Sequence, residues 1–497
     1  MSVIKQVSAL MVQRGYRVPT TTIYNKMREW VDFYMGEVPD FHKFNVKTID
    51  GRNHTITKPS LNMMKLVCET YSSLLWNEKS KLKVDENNQE AFDMVVKDNN
   101  IYGELNTFLE KVALYGTGVA IEYTADKKTK VGFSYGNSLV ITDYQNTTPK
   151  GIVVIQRIQR DKKFYTHLSI HTYKDGIYRL EHEVYKSGKK EMLGNKKSDL
   201  TPIFTEEESK GLKHVVMVDG KEEVQYYVEH ETDTPHFQVF KYNIANNFDF
   251  SPMGISVCAN SIGLIKAIDE KNFSALEDSV NSRKKIFFDE ESSKSSANTS
   301  YDEDNNRIVE DYVEYIDRDQ TLYKTAKLGE DTEKLKIYAP DYNPETHNTA
   351  IQFDINLLSI KVGLGTNYFD FENGGVYVNE ANVFSSNSDM WRNRQANANL
   401  LKIFLTNMMK SIAFLEDMTN EEYVVEIDDS MIQDDAALKA HSMELVSQGY
   451  KPKWKHLVEW EGYTEEEAKE MVAEAQAEED KLAFDFVENV ENEDGVE

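Results

Sequence analysis

The chain has 497 residues, is 40% hydrophobic and carries a formal charge of −27. That is enough apolar content for two to four ordinary domains, and the negative surplus argues against general electrostatic gripping of nucleic acid, where Lys and Arg must neutralise phosphates. No stretch approaches 18 uninterrupted apolar residues, and the run Ala9 to Val12 before Arg14 is too short for a secretory h-region, so the chain is expected in the cytoplasm of the cell that makes it.

In chain order, Thr22 to Phe41 places Tyr24, Trp30, Phe33 and Tyr34 at helical spacing before Gly36 and Pro39 end the pattern. Lys58 to Trp76 reads as a second helix with Leu61, Met64, Val67, Tyr71 and Leu75 on one side, and Asn87 to Gly116 adds more helix. The period then changes to two. Short strand-like runs occupy 119–123, 131–135, 139–144, 151–159, 167–173, 176–185, 215–218 and 224–228, with hairpin signals at Asp175-Gly176 and Asp219-Gly220. The first half is therefore expected to be a mixed α+β domain with an antiparallel sheet.

From Gly254 to Arg283, Cys258, Ile262, Ile265, Ile268, Phe273, Leu276 and Val280 recur at three- to five-residue steps. They predict one helix of about 30 residues, roughly 45 Å long. Such a rod needs an apolar partner of its own length, in the same chain or in a neighbouring copy. A polar insert follows. Thr346 to Leu364 carries a second stripe of Ile351, Ile355, Leu358 and Val362, ending at Gly363 and Gly365. After a loop with paired glycines, Glu380 to Leu415 repeats the pattern through Phe384, Trp391, Ala398, Leu401, Leu405, Met408 and Ile412. From Glu416 to Glu497 there are 26 acidic residues against 6 lysines and no arginine, so most of the net charge lies there.

Motifs for chemistry are absent. The chain has no G-x-x-x-x-G-K-[ST], H-E-x-x-H or C-x-x-C. Asp302, Asp304 and Asn306 resemble the start of a calcium loop, but Arg307 stands where glycine is needed and Val313 where the bidentate glutamate belongs. Cys68 and Cys258 fall in apolar patterns, as buried thiols do. His236 and His347 have no nucleophile at readable spacing.

The order of parts resembles the portal proteins of tailed bacteriophages, in the branch from phages of Gram-positive bacteria. The resemblance rests on FQVFKYNIANNFDFSPMGISVCANSIGLIKAIDEKNFS (Phe237 to Ser274), INLLSIKVGLG (Ile355 to Gly365) and NEANVFSSNSDMWRNRQANANLLKIF (Asn379 to Phe404). It extends to the early REWVDFYMGEVPDF and the late SMELVSQGYKPKWKHLVEWEGYTEEEAKEM, and so runs along nearly the whole chain.

The resemblance implies an α+β portal fold: a mixed α/β wing, long stem helices, a small α/β clip, a kinked tunnel helix and an all-α crown. Its boundaries would be wing at 1–250 with 418–430 returning to it, stem helices at 251–283 and 343–364, clip at 284–342, tunnel loop at 365–379, long helix at 380–417 and acidic crown at 431–497. It further implies a homo-oligomeric ring, of twelve subunits, at the capsid vertex of a virion assembled in host cytoplasm. Double-stranded DNA would pass through transiently, terminase large subunit and head-completion or adaptor proteins would meet the clip, and major capsid and scaffolding proteins the wing. No membrane, cofactor, metal or catalytic residue is implied.

On that mapping, Lys361, Asn367, Asn373 and Asn379 are the candidate channel residues. Ile262, Ile265, Leu276, Ile355, Leu358 and Val362 are the stem-packing residues, their stripes meeting neighbouring copies, and Trp391, Arg392 and Arg394 brace subunits. Two other readings stay open: a minor capsid or scaffold protein without a channel, and a metal-dependent DNA-processing enzyme using acidic pairs such as Asp428-Asp429 and Asp434-Asp435.

Overall fold

In a computed structural model of the chain, the structure describes residues 3–20, 22–47, 53–125, 127–146, 148–201, 203–218, 221–289, 300–301, 307–308, 322–325, 335–366, 368–369, 380–428, 435–475 and 477. They form a mixed α+β protein divided into two compact units, one of residues 1–377 with 383–427, the other of residues 378–382 with 428–497. Among the described residues no helix is long and apolar enough to cross a membrane.

The first unit begins with helices α1 (Val3–Gln13) and α2 (Thr22–Tyr34), the hairpin β1 (Lys43–Lys47) and β2 (Asn53–Thr57), and helix α3 (Met63–Leu75). Strand β3 (Lys81–Lys83), helices α4 (Glu86–Asp98) and α5 (Ile101–Tyr115), and strands β4 (Gly118–Ala125) and β5 (Lys128–Tyr135) follow. The helix expected over 87–116 is present as two segments, parted where Asn100 adopts a left-handed φ of 47°.

The large antiparallel sheet uses β6 (Leu139–Gln145), β7 (Thr148–Arg160), β8 (Lys163–Lys174), β9 (Ile177–Ser187) and β10 (Asn195–Lys196). After α6 (Glu206–Leu212) it is completed by β11 (Lys213–Val218) and β12 (Lys221–Glu231), in the order β11-β12-β9-β8-β7-β6 with β10 beside β9. Two-residue turns set its register: Asp161 and Lys162 have φ of 49° and 59°, Asp175 and Gly176 54° and 81°. Positive φ at both central positions matches the right-handed twist of the strands. Strand β13 (Phe237–Phe240) joins β4 and β5 in a second sheet. Val119, Leu139, Ile152, Tyr178 and Phe237 form the core where these strands meet.

Helix α7 (Ile262–Asn281) leads to strands β14 (Lys285–Asp289), β15 (Ser300–Tyr301), β16 (Arg307–Ile308), β17 (Leu322–Thr325) and β18 (Leu335–Tyr338). β14 lies between β17, parallel to it, and β18, antiparallel. Among the described residues of this insert there are strands and no helix; the rest of the expected clip lies outside the described residues. Helix α8 (Pro344–Lys361), residues 383–415 of the 36-residue helix α9 (Glu380–Leu415) and strand β19 (Val424–Glu426), which pairs with β3, complete the unit. α9 buries Leu401, Phe404, Leu405, Met408 and Ile412, and Phe404 stacks on Phe108 of α5 with ring centroids 5.5 Å apart.

The second unit holds α10 (Asp435–Ser447), α11 (Lys453–Trp460) and a helical stretch over 465–475. Ser442 Oγ lies 2.9 Å from His456 Nδ1, and Thr464 and Glu467 cap the last helix reciprocally.

The expected 30-residue helix from Gly254 is shorter because its first part is a buried strap. Gly116, at φ 81°, ends α5, and a Cβ on Gly254 would sit 2.0 Å from the Gly116 carbonyl oxygen. Only glycine permits that approach. Gly254 N donates to Thr117 Oγ1 at 2.7 Å, while Val257 N and Ser256 Oγ both donate to the Ala113 carbonyl near the end of α5 at 3.0 Å. These bonds satisfy helix-end groups and hold 252–258 off helical geometry, so α7 starts at Ile262. Gly254→Val should cost about 1–3 kcal/mol through overpacking at this crossing. Gly263→Ala, whose Cβ meets open space, should be neutral or slightly stabilising; urea titration of both reads the difference.

Candidate functional site

The paired helices α7 and α8 are the part of the chain whose geometry poses a functional question. They run antiparallel, as their polar contacts establish: His347 Nε2 lies 3.1 Å from Asp278 Oδ2, and Lys271 Nζ reaches Asp354 Oδ2 at 2.8 Å and the Ala350 carbonyl at 3.2 Å. At the end of α7 nearer the first unit's core, Asp269 is fully buried. Its carboxylate accepts from Leu61 N at 2.8 Å and Ser60 Oγ at 2.9 Å, and lies 3.1 Å from His42 Nε2. A buried carboxylate is tolerable only with such partners, so Asp269 fixes α7 against the segment before α3.

The expected stem-packing residues sit largely inside the chain. Ile265, Ile355, Leu358 and Val362 are buried, Ile262 is half-buried, and Leu276, 45% exposed, is the exception. The partner that the stripes require is thus, for most of their length, the other helix of the same chain rather than a neighbouring copy. A different row of α8 is exposed: Phe353, Leu357 and Ile360 are 67%, 37% and 51% accessible. At i, i+4 and i+7 they lie on one helical face.

The far end of α8 is tied to two other helices. Gly363, at φ 75°, caps it, with Leu364 N donating to the Ser359 carbonyl. Asn393 Nδ2 of α9 donates to the Gly363 carbonyl at 3.1 Å and to Tyr71 Oη of α3 at 2.8 Å, and Tyr71 donates to the Val362 carbonyl. Arg394 is also committed within the chain: buried, it donates from Nε to the Leu74 carbonyl at 2.8 Å, where the end of α3 favours a cation. Its guanidinium carbon lies 5.8 Å from the Trp391 ring centroid, and Arg392 is exposed. Lys361 is the exposed last residue of α8. Asn367, Asn373 and Asn379 lie outside the described residues, but Gln352 Nε2 donates to the Phe369 carbonyl at 3.2 Å and Phe369 is buried, so the chain leaving α8 folds back along it.

One constellation was illegible in the sequence. Ser411 of α9 donates to Glu122 Oε2 at 3.0 Å and lies 2.6 Å from His236 Nδ1, whose Nε2 is 2.6 Å from His230 Nε2. The set mixes serine, histidine and carboxylate, yet Ser411, Glu122 and His236 are all buried and the serine bridges acid and base. That order ties β4, β13's lead-in and α9 together and gives a substrate no path to the hydroxyl. Burial pushes the Glu122 carboxyl well above the usual carboxylate range. Burial, with neighbouring imidazoles adding to it, lowers His171 and His167 to about 3 and His236 to about 4, and burial alone takes His182 to about 4.

No protein-family profile and no curated protein matches the chain. Among solved structures, a chain from the neck of a native GTA particle computed with C12 symmetry is similar over 80% of this chain and 89% of its own length, at 8% sequence identity and a TM-score of 0.38. A TM-score that low leaves the functional reading to this chain's own residues.

Three outcomes follow from burial and exposure. Five histidines, His230 among them, have folded-state values below the ordinary 6.5, four of them at about 3 to 4, so the unfolded chain binds more protons in acid. Their contribution to stability is complete above about pH 6.5 and is lost as pH falls toward about 4 and then 3; thermal melts across that range should show the midpoint dropping steadily. Leu358→Asp should remove folded protein outright, since an unpaired charge would enter a fully buried site. Lys361→Ala should leave the melt within about 0.5 kcal/mol of the parent.

Proposed function

We propose that the chain is the subunit of a portal-type ring, a phage-like head–tail connector through which double-stranded DNA is packaged and ejected at a capsid vertex. The observation that carries this reading is the α7–α8 pair, joined through a strand-bearing insert at one end and to α9 at the other, with the row Phe353, Leu357 and Ile360 exposed along α8. An exposed apolar row on a long helix asks for another chain. A head-to-tail ring supplies one, because each copy presents a different face to each neighbour. The sequence resemblance to portal proteins, which spans Phe237 to Ser274, Ile355 to Gly365 and Asn379 to Phe404, supports the same assignment.

In this reading the insert between α7 and α8 is the docking point for terminase and head-completion proteins, and the chain itself holds no catalytic residue. Residues 365–379 line the passage, with Lys361 beside them giving weak contacts to passing phosphates, and Asn367, Asn373 and Asn379 uncharged ones. A channel wall that is acidic elsewhere keeps such contacts from becoming grip.

Electron microscopy of the purified protein tests the proposal: rings with a central hole are expected, and monomers or solid assemblies would refute it. Phe353→Asp combined with Ile360→Asp should leave the subunit folded, since both positions are exposed, while reducing ring yield by about tenfold or more, the effect of charge in an apolar contact.

A further inference from the structure

The large sheet has two ends of opposite charge. At one end the β7–β8 turn presents Arg160, Asp161, Lys162 and Lys163, all exposed, and Lys189 and Lys190 are exposed just beyond the end of β9. The two segments are neighbours, since Phe164 pairs with Ser187 and Arg157 donates to the Lys190 carbonyl. Among the described residues no carboxylate pairs with any of these five cations. Arg160 and Lys163 are direct cross-strand partners, and like charges so placed repel. Lys162 moreover holds a left-handed φ of 59°, where glycine would be relaxed. A tight turn built with this much cationic charge, at a cost in local stability, is suited to an anionic counterpart.

The counterpart lies on the same chain, out of its own reach. β8 runs 12 residues from the cationic turn, roughly 40 Å at the rise of a strand. At its other end is a cleft of about 800 Å³ lined by Asp175, Glu231 and Asp233, with Phe414, Tyr423 and Lys410 on the wall toward α9. The three carboxylates have no ion-pair partner among the described residues, Phe414 is 43% exposed, and the volume suits the long side chains of a hairpin tip. A patch and its complement at opposite ends of one rigid sheet cannot meet within a copy. They can meet between copies, reciprocally across a two-fold axis or head to tail, and the ring reading above selects head to tail.

We infer that the β7–β8 turn of one copy docks in the acidic cleft of the next, so that the large sheets form a second, electrostatic contact outside the helical one. The inference rests on the ring reading above, and its occupant is a second copy of this chain. Lys162 and Lys163 enter the cleft toward Glu231 and Asp233, and Phe414 packs against their aliphatic stems.

The test uses the full-length chain carrying Lys162→Cys and Asp233→Cys with a short bismaleimide cross-linker; the native Cys68 and Cys258 are buried and give little background. The expected result is a ladder of covalent multimers from the double variant and none from either single variant. Lys163→Glu should weaken assembly about tenfold at low salt, and adding Glu231→Lys should restore it, as a direct charge pair requires. Rings in the microscope without a ladder would overturn this contact and leave the ring reading standing; no rings and no ladder would overturn both. A covalent dimer from Lys162→Cys alone, or a dimer without higher multimers from the double variant, would mean symmetric pairing and overturn the head-to-tail contact. Loss of duplex DNA binding on Lys163→Glu, with assembly unchanged, would assign the cationic end to nucleic acid instead.

Discussion

The backbone crossing at Gly116 and Gly254 decides where the helical part of the molecule begins. Two peptide units approach more closely than any side chain would allow, and the strap 252–258 hands its donors to the end of α5 and Thr117. Because the strap cannot be helical there, α7 starts at Ile262 and leaves the sheets at a fixed point. Asp269 then fixes its orientation through Leu61, Ser60 and His42. With α7 placed, Lys271 sets the register of α8, and Tyr71, Asn393 and Arg394 tie the far end of α8 to α3 and α9. Each contact is polar, directional and largely buried, so together they favour one arrangement where apolar stripes alone would allow sliding.

Much of this was legible as pattern and little of it as partnership. The period of 3.6 located α7, α8 and most of α9, and the period of two with Asp175-Gly176 located the long hairpins. The strands are longer than their apolar cores suggested, since β7 and β8 run out into Arg160 and Lys163, where pairing continues after the hydrophobic pattern has ended. Helix α1 was missed because its apolar run reads as short, although Val3, Ile4, Val7 and Met11 are buried on one side. The strap was misread as helix because Val257 and Cys258 continue the spacing of α7; only the contact between residues 116 and 254 shows otherwise.

The harder question was which apolar residues face which partner. α8 is apolar on two sides, with Ile355, Leu358 and Val362 inside and Phe353, Leu357 and Ile360 outside. In one dimension these merge into a single rich segment. Spacing says that a helix needs covering; it does not say by what. In the same way Glu122, His236 and Ser411, far apart in sequence, meet only through the crossing of a strand, a loop and a helix.

Charge behaves differently again, because it acts over a set distance. The chain carries −27 overall, which on its face forbids a cationic docking surface. Screening removes that objection: at physiological salt, exposed charges farther apart than about 8 Å scarcely feel one another. The sheet spans several such lengths, so its basic turn and acidic cleft are independent of each other. Net charge therefore describes solubility, whereas recognition is decided by which few side chains share a Debye length. In the ring proposed above, this separation would let local complementarity hold neighbours together while the overall negative charge keeps a passing polyanion from adhering.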